Sequence, residues 1–592
     1  MPNQQSTNSG NLTNKRHSLA HLLASALLEM QPETQLGIGP VIDNGFYYDV
    51  ITPKPITPDD LPKLQKRMQE LAKSKLGFDR EEMSFEDAKK FFEERKQPFK
   101  VELISDLEKS GEVDNVSLYK TGSFVDLCRG GHVENTSDID PNSFQLDKIA
   151  GAYWRGDETK PMMTRIYGLA FNNVDELGGY LTMREEAEKR DHKKLGPELD
   201  LFLFSDLVGS GLPLWTPKGT LVRDLLDNFV WEMRQARGYE RVTIPHITKK
   251  DLYEKSGHWD KFKDELFRIK TREGHEFAMK PMNCPHHTQI YNRKRWSYRE
   301  LPQRYANTTM VYRDEQSGEL GGLSRVRSIT QDDAHVFCRM SQAKEESNTI
   351  WDIIETLYKT LGFSDLKVRL SKRDPEAPEK YLGSTESWDS AEKTLQEVAD
   401  SRGVEVIEGI GEAAFYGPKL DFMAKDALGR EHQVATIQLD FNQPERFDLF
   451  CINESGEQER IVMIHAAIMG SLERFLAVLI EHTAGNFPTW LSPIQTVVVP
   501  VSEKQNDYAQ SVVEKLKMQI PDLRIELDLR SESMGKRIRE ASKQKVPYIL
   551  VVGDKEIESQ SVSVRGRGDE DLGTQPLDDF AQKLKIEISE KQ

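Results

Sequence analysis

Two breaks cut this sequence into bodies that cannot share one core. Residues 181–198 (LTMREEAEKRDHKKLGPE) are highly charged, helical in pattern and closed by Gly-Pro, which predicts a connecting helix between domains. Pro488-Thr-Trp-Leu-Ser-Pro493 punctuates the chain a second time. A chain of 592 residues exceeds what one hydrophobic core supports, so the breaks are read as domain boundaries. Residues 1–14 are rich in Asn, Ser, Thr and Gln, lack aromatics, and are expected to form a disordered tail. They hold no apolar core of a secretory signal, and no apolar run in the chain approaches the roughly 18 residues of a membrane span. The balance of 80 basic against 97 acidic residues, net −17, argues against holding nucleic acid by bulk charge and leaves room for a local basic face. Cys128, Cys284, Cys338 and Cys451 are too few and too scattered for a disulfide scaffold and fit a reducing cytosol.

From Arg16, the residues His17, Leu19, Leu22, Leu23, Ala26 and Leu27 recur at helical spacing. Gly45–Val50 reads as a strand, and 57–98 as two charged helices with N-cap chemistry at Thr57–Asp60. After Pro493, apolar runs at 496–501, 525–529 and 548–552 alternate with helical patterns, which predicts a small α/β domain.

Four groups of residues carry chemistry. His17, His21 and Ser25 are four apart and share one helix face, and Cys128-Arg-Gly-Gly-His132 supplies another pair at spacing four. H-x3-H with C-x3-H suits zinc, a metal-free pocket in which imidazoles orient a water, or two unrelated ordinary helices. Cys284 in KPMNCPHH, His335 in TQDDAH and His465 in VMIH, read as opening an apolar helical segment, suit a three-ligand zinc with an open position; His286, His287 and Cys338 lie close by as decoys. Arg313, Glu315, a Gly-rich loop, Arg325 and Arg327, with Arg474 later, suit phosphate recognition or a charged surface hairpin. Residues 530–545 carry six cations (Arg530, Lys536, Arg537, Arg539, Lys543, Lys545) against Glu532 and Glu540, a backbone-following face or a solvated helix.

The strings IGPVIDNGFYYDV (38–50), GAYWRGD (151–157), SGHWD (256–260), KPMNCP (280–285), TQDDAH (330–335), AFYGPK (414–419), QLDF (438–441) and FPTWLSP (487–493), in this order, resemble the threonyl-tRNA synthetases, class II aminoacyl-tRNA synthetases. The resemblance implies an α+β multidomain protein: a tail (1–14), an α+β editing domain (15–180), a linker helix (181–198), an antiparallel-sheet catalytic domain (199–489) and a C-terminal α/β anticodon-binding domain (490–592). It implies a threonine–tRNA ligase that uses ATP, magnesium and L-threonine on tRNA(Thr), as a cytoplasmic homodimer that hydrolyses mischarged seryl-tRNA. The chain is also expected to lack the family's small ubiquitin-like N-terminal domain.

By this resemblance Cys284, His335 and His465 hold a catalytic zinc that binds the amino group and hydroxyl of threonine. Gln331, Asp333, Tyr416 and Gln438 face the amino acid; Arg313, Glu315, Arg325, Lys419, Gln433 and Arg474 face ATP; Pro245 sits at the dimer interface. His21, Cys128, His132, Asp126 and Lys100 match the editing pocket, with His17 one turn before His21 and Ser25 where many members have histidine. KPMNCPHH departs from the common KPMNCPGH at His286. Glu556 and Arg565 match anticodon-reading positions, and Ser531 stands where asparagine is common.

Overall fold

The computed structural model describes residues 5–591 apart from Glu112, Ser364, Asp365 and Ala427. The chain gathers into two compact units that part between Glu185 and Glu186. The first is built on one helix, Gln5–Met30, whose Leu19, Leu22, Leu23, Ala26 and Leu27 are fully buried. They share a core with Phe46, Tyr48 and Val50 of the Gly45–Ile51 strand and with Leu64 and Met68 of the Leu61–Lys73 helix. Residues 5–14, expected as a disordered tail, continue this helix. Once the buried turns are nucleated, each further residue gains a hydrogen bond for one residue's backbone entropy, so polar composition alone does not stop the helix. Residues 1–4 of the expected tail lie outside the described residues.

One sheet of this unit orders Gln35–Leu36, Gly45–Ile51, Met162–Ala170 and Phe144–Tyr153, and a second orders Asp79–Met83, Val116–Thr121 and Phe124–Leu127. Between residues 57 and 98, where two helices were expected, the helices Leu61–Lys73 and Phe85–Glu94 are separated by the edge strand Asp79–Met83. That DREEM strand is mostly exposed; pairing with Val116–Thr121, not propensity, makes it a strand. The Thr57–Asp60 cap is present as a reciprocal capping box. The connecting segment is two helices, Val174–Arg190 and His192–Glu198, with Asp191 capping the second.

The second unit carries an eight-stranded sheet in the order Glu240–Arg241, Gln303–Tyr312, Ser328–Cys338, Val462–Ala467, Glu431–Asp440, Lys419–Lys425, Leu366–Lys372 and Val406–Ile410. All neighbours are antiparallel except the outermost pair at each end. Helices Pro217–Gln235, Ala343–Thr360, Thr385–Ser401 and Leu472–Thr483 bury apolar faces in the same core. Val462–His465 lies in a strand, and the helix starts only at Leu472. A short apolar run has no period that separates buried strand from buried helix, and here pairing on both edges decides.

Beyond Pro493 the same unit holds a five-stranded sheet in the order Ile525–Leu527, Thr496–Pro500, Tyr548–Val552, Ser561–Arg565 and Asp571–Pro576. The first three strands are parallel and the last two antiparallel, with a separate apolar core on each face. This is why TVVVP and YILVV are apolar throughout. Among the described residues no helix is long and apolar enough to cross a membrane.

Candidate active site and a second histidine–cysteine cluster

Strand pairing sets the larger site. Along Ser328–Cys338 side chains alternate faces, so Gln331, Asp333 and His335 line a cavity while Asp332 turns the other way. His335 stands opposite His465 on the adjacent strand, and His465 opposite Gln438 on the next. Cys284 opens the helix Cys284–Tyr291 and brings its thiol to both imidazoles, with the three donor atoms within 4.8 Å of one another.

The outer nitrogens are anchored. Asp440, fixed by the amides of Asn442 (2.8 Å) and Gln443 (2.9 Å), takes the Nε2 proton of His465 at 2.9 Å. The Nδ1 of His465 then presents a lone pair to His335 Nε2, 3.0 Å away, and His335 Nδ1 meets His287 Nδ1 at 2.8 Å. Two facing imidazole nitrogens and a thiol directed at one point fit a zinc-class cation with three protein ligands, and their outer contacts fit its second shell. Burial raises the Cys284 thiol and, with His465 and His287 beside it, lowers His335; a cation would favour the thiolate and the neutral ring. Burial likewise pushes Asp333 up to about 6, against its hydrogen bond from Asn283 (3.0 Å).

The same cavity, about 320 Å³, is lined by Arg313, Arg325 and Arg474. Burial, then the neighbouring Arg313 and Arg325, lowers Arg474, the response of a cation crowded by like charge. Arg325 is held by Glu315 (2.8 Å) and Glu319 (2.9 Å), and Arg474 donates to the Ser324 carbonyl at 3.1 Å. Such a cluster of guanidiniums matches a polyphosphate. Tyr416, Gln433 and Gln438 also line the cavity. Lys419, expected at ATP, is not among the lining residues; its ammonium pairs with buried Asp421 at 2.7 Å.

Sequence reasoning missed the supports. Asp332 receives buried Arg234 and the amides of Ile468 (2.9 Å) and Met469 (3.0 Å). His192, from the connecting helix, accepts the Leu323 amide (3.0 Å) and contacts Glu481 (2.6 Å), joining the loop that bears Arg325 to the helix that bears Arg474. Gly322 has φ +58°, and a Cβ there would lie 2.4 Å from His192 Nε2, so glycine is required. Of the decoys, His286 bonds Thr248 and Cys338 is buried, while His287 is the partner of His335.

In the first unit His17, His21, Cys128 and His132 also converge, with one donor atom from each within 4.8 Å of the others. Beside them Lys100 and Asp126 form a buried pair (2.5 Å) that Tyr48 completes by bonding both. Tyr48 lies in the FYYD string, but its role was not legible there. Ser25 is buried one turn beyond His21 and is not part of the four-donor set.

In the C-terminal sheet region Ser531 is exposed before helix Met534–Lys543, Glu556 caps helix Asp554–Ser559 through the Gly553 amide (2.9 Å), and Arg565 ends its strand. The basic stretch is less free than its composition implied. Arg530 pairs with Asp528 and Glu540, Lys536 with Glu532, and buried Arg537 serves the carbonyls of Asp528 and Pro500. Pro245 is exposed after the short Glu240–Arg241 strand.

Comparison with known proteins agrees with this architecture. Residues 267–483 match the class II core domain of tRNA synthetases (G, H, P, S and T), 495–587 an anticodon-binding domain, and 116–167 the second additional domain of threonyl and alanyl tRNA synthetases. The chain is 48% identical to the threonine–tRNA ligase of Cytophaga hutchinsonii over 578 residues, covering 97% of this chain and 88% of that protein. It is also 48% identical to the threonine–tRNA ligase of Thermus thermophilus, with the same coverage. The chain belongs to the threonine–tRNA ligase family. A solved structure titled the RNA binding domain of threonyl-tRNA synthetase from Cryptosporidium parvum shares 38% identity and a TM-score of 0.63, covering 67% of this chain and 98% of that one. The class II core match spans Cys284, His335 and His465, so the donor set lies in the family's catalytic domain.

Proposed function

We propose that this chain is a threonine–tRNA ligase that activates L-threonine with ATP and transfers it to tRNA(Thr), and that its first unit hydrolyses seryl-tRNA charged in error. The observation that carries this reading is one cavity shared by the Cys284–His335–His465 donors and the Arg313–Arg325–Arg474 cluster. Cys284, His335 and His465 would hold zinc, which when bound supplies a Lewis acid for the amino group and hydroxyl of threonine. Asp333, Gln331, Tyr416 and Gln438 orient the amino acid. Arg313 and Arg474 neutralise the phosphates, with Arg325 near the γ-phosphate and Glu315 at the adenine. The threonine carboxylate attacks the α-phosphorus and pyrophosphate leaves; the tRNA terminal ribose then displaces AMP. No protein nucleophile is needed, because positioning and charge neutralisation supply the catalysis.

The hydroxyl requirement rejects valine, since its loss strands a polar partner. Serine lacks one methyl, worth only about 1–3 kcal/mol, so a separate hydrolytic pocket is required. The buried Lys100–Asp126–Tyr48 group beside His21, Cys128 and His132 supplies polar groups for it. In this reading 15–180 is the editing domain, 199–489 the catalytic domain and 490–592 the anticodon-binding domain, reading through Ser531, Glu556 and Arg565, and the enzyme works as a cytoplasmic homodimer through the Pro245 segment. ATP–pyrophosphate exchange tests the assignment: threonine must be the preferred amino acid and Cys284→Ala must abolish exchange. Better exchange with serine or proline overturns it.

A further inference from the structure

Arg327 stands two residues after Arg325 but does not line the cavity, so it is not placed to meet a phosphate. Its guanidinium is turned onto the loop itself. Nε donates to the Glu315 carbonyl at 3.0 Å, Nη1 to the Ser210 carbonyl at 3.2 Å and Nη2 to the Ser317 hydroxyl at 3.4 Å, with the Asp314 carboxylate 3.6 Å from Nε. Its main chain closes the same loop. The Arg313 amide donates to the Arg327 carbonyl at 3.0 Å, and the Arg327 amide donates to the Gly211 carbonyl at 2.8 Å. One residue therefore joins the two limbs of the 313–327 loop to each other and to the turn at 209–211.

The turn that receives Arg327 rises from a fixed base. It lies between the paired strands Phe202–Leu203 and Leu214–Trp215. Phe202 is buried in the core of the large sheet, and the Arg223 guanidinium stands 4.6 Å from the centre of the Trp215 ring. Gly211 is buried with φ +75°, and a Cβ there would lie 2.9 Å from Leu320 Cδ2 and 3.2 Å from the Arg327 amide nitrogen. A side chain at residue 211 would push apart the two segments that Arg327 draws together. Arginine suits the other half of the contact, because its planar fork serves several carbonyls in fixed directions, whereas lysine offers one point charge.

We propose that Arg327, seated on Gly211, is a positioning residue that sets the base specificity of the nucleotide site by fixing Glu315. The proposal rests on the reading that Glu315 faces the adenine. Adenine carries an amino donor where guanine carries a carbonyl, so an oxygen acceptor held at that edge accepts from the first and repels the second. Arg325 holds the Glu315 side chain at 2.8 Å, and Arg327 holds its main chain. Arg327 touches no substrate and acts through Glu315. When that hold is lost, the acceptor shifts relative to the base, and discrimination between bases falls. Gln331 and Asp333 are set by strand register with Thr309 and Asn307, so threonine binding does not depend on the same contact.

The test compares ATP with its analogue lacking the 6-amino group, in threonine-dependent pyrophosphate exchange by the full-length protein. Wild type should prefer ATP. Arg327→Ala should lower that preference about tenfold, the scale of one hydrogen bond to a charged group, with KM for threonine unchanged. Gly211→Ala should lower it in the same direction, and Arg327→Lys should fall between Arg327→Ala and wild type. Circular dichroism reports that each variant is folded; if Arg327→Ala does not fold, Arg327→Lys and Gly211→Ala decide. A folded variant that loses exchange with both nucleotides equally and keeps its preference overturns the proposal, because a purely structural role moves both alike. Glu315→Ala separates the proposal from the reading beneath it. No preference in wild type, or a preference that survives Glu315→Ala, removes the adenine reading and the proposal with it. A preference lost in Glu315→Ala but kept in Arg327→Ala sinks the proposal alone.

Discussion

The two histidine–cysteine clusters use the same donor types and are positioned by different means. His335 and His465 face each other because two paired strands put them in register, and a slip of one residue would turn both away from the cavity. His17 and His21 are set by helix pitch, and Cys128 and His132 by a glycine loop that returns to that helix. Register admits one arrangement, held from behind by Arg234 and Asp332. Pitch offers a choice of turns: His17, one turn before His21, joins the donor cluster, whereas Ser25, one turn after it, brings no imidazole.

The contrast is broken most strongly from behind the sheet. Asp332→Ala leaves buried Arg234 without its carboxylate and two amides without an acceptor. Removing one partner of a buried pair costs about 3–5 kcal/mol, so the second unit should unfold at clearly lower denaturant. The first unit, a separate compact body, should keep its own transition. A single unshifted transition for the variant would show that register does not depend on this pair.

The next effect is on chemistry alone. Arg313→Ala should cut threonine-dependent exchange about 10²–10³-fold, the usual cost of one preorganised charge donor. Hydrolysis of seryl-tRNA should stay within about twofold, and a parallel fall would mean that the two clusters do not work separately. His192→Ala probes the support behind that arginine cluster. Losing the link between the Leu323 amide and Glu481 should raise KM for ATP about tenfold, or 1.4 kcal/mol, with KM for threonine unchanged.

Ser25→His tests the freedom of the helical cluster. Ser25 is 6% exposed, so an added ring overpacks the core and should cost about 1–3 kcal/mol of first-unit stability. Seryl-tRNA hydrolysis should not rise. A gain in hydrolysis would show that the turn beyond His21, not His17, is the native position for the imidazole.

The same contrast explains what could be read from sequence. Cys284, His335 and His465 were legible because they stand in specific strings, and His17 because helix spacing puts it beside His21. Their supports were not: Arg234 and Asp332 are 98 residues apart, and His192 reaches Leu323 across 131. Such contacts depend on tertiary packing, which leaves no local periodicity. Strand 462–467 was misread as helix for the related reason that a buried run has no alternation. The helix over 5–14 was missed because composition does not record that the buried turns from Arg16 onward nucleate a helix that propagates back into it.

The smallest effect lies where His192 meets Glu481. Burial by itself would raise Glu481 and Asp426, but hydrogen bonds from His192 to the first, and from His432 and Arg430 to the second, outweigh it and hold both carboxyls below their ordinary values. A carboxyl depressed in the folded state contributes stability that is complete above its unfolded pKa, about 4. That contribution is lost as pH falls through the lower folded value. Arg430 is 39% exposed, so screening limits the two together to roughly 1–2 kcal/mol. Between about pH 5 and 3, the second unit of wild type should therefore lose more stability than that of Glu481→Gln, whose amide does not titrate. Equal slopes for the two proteins in urea melts across that range would show that the carboxyls behind the Arg325 loop do not help to hold it.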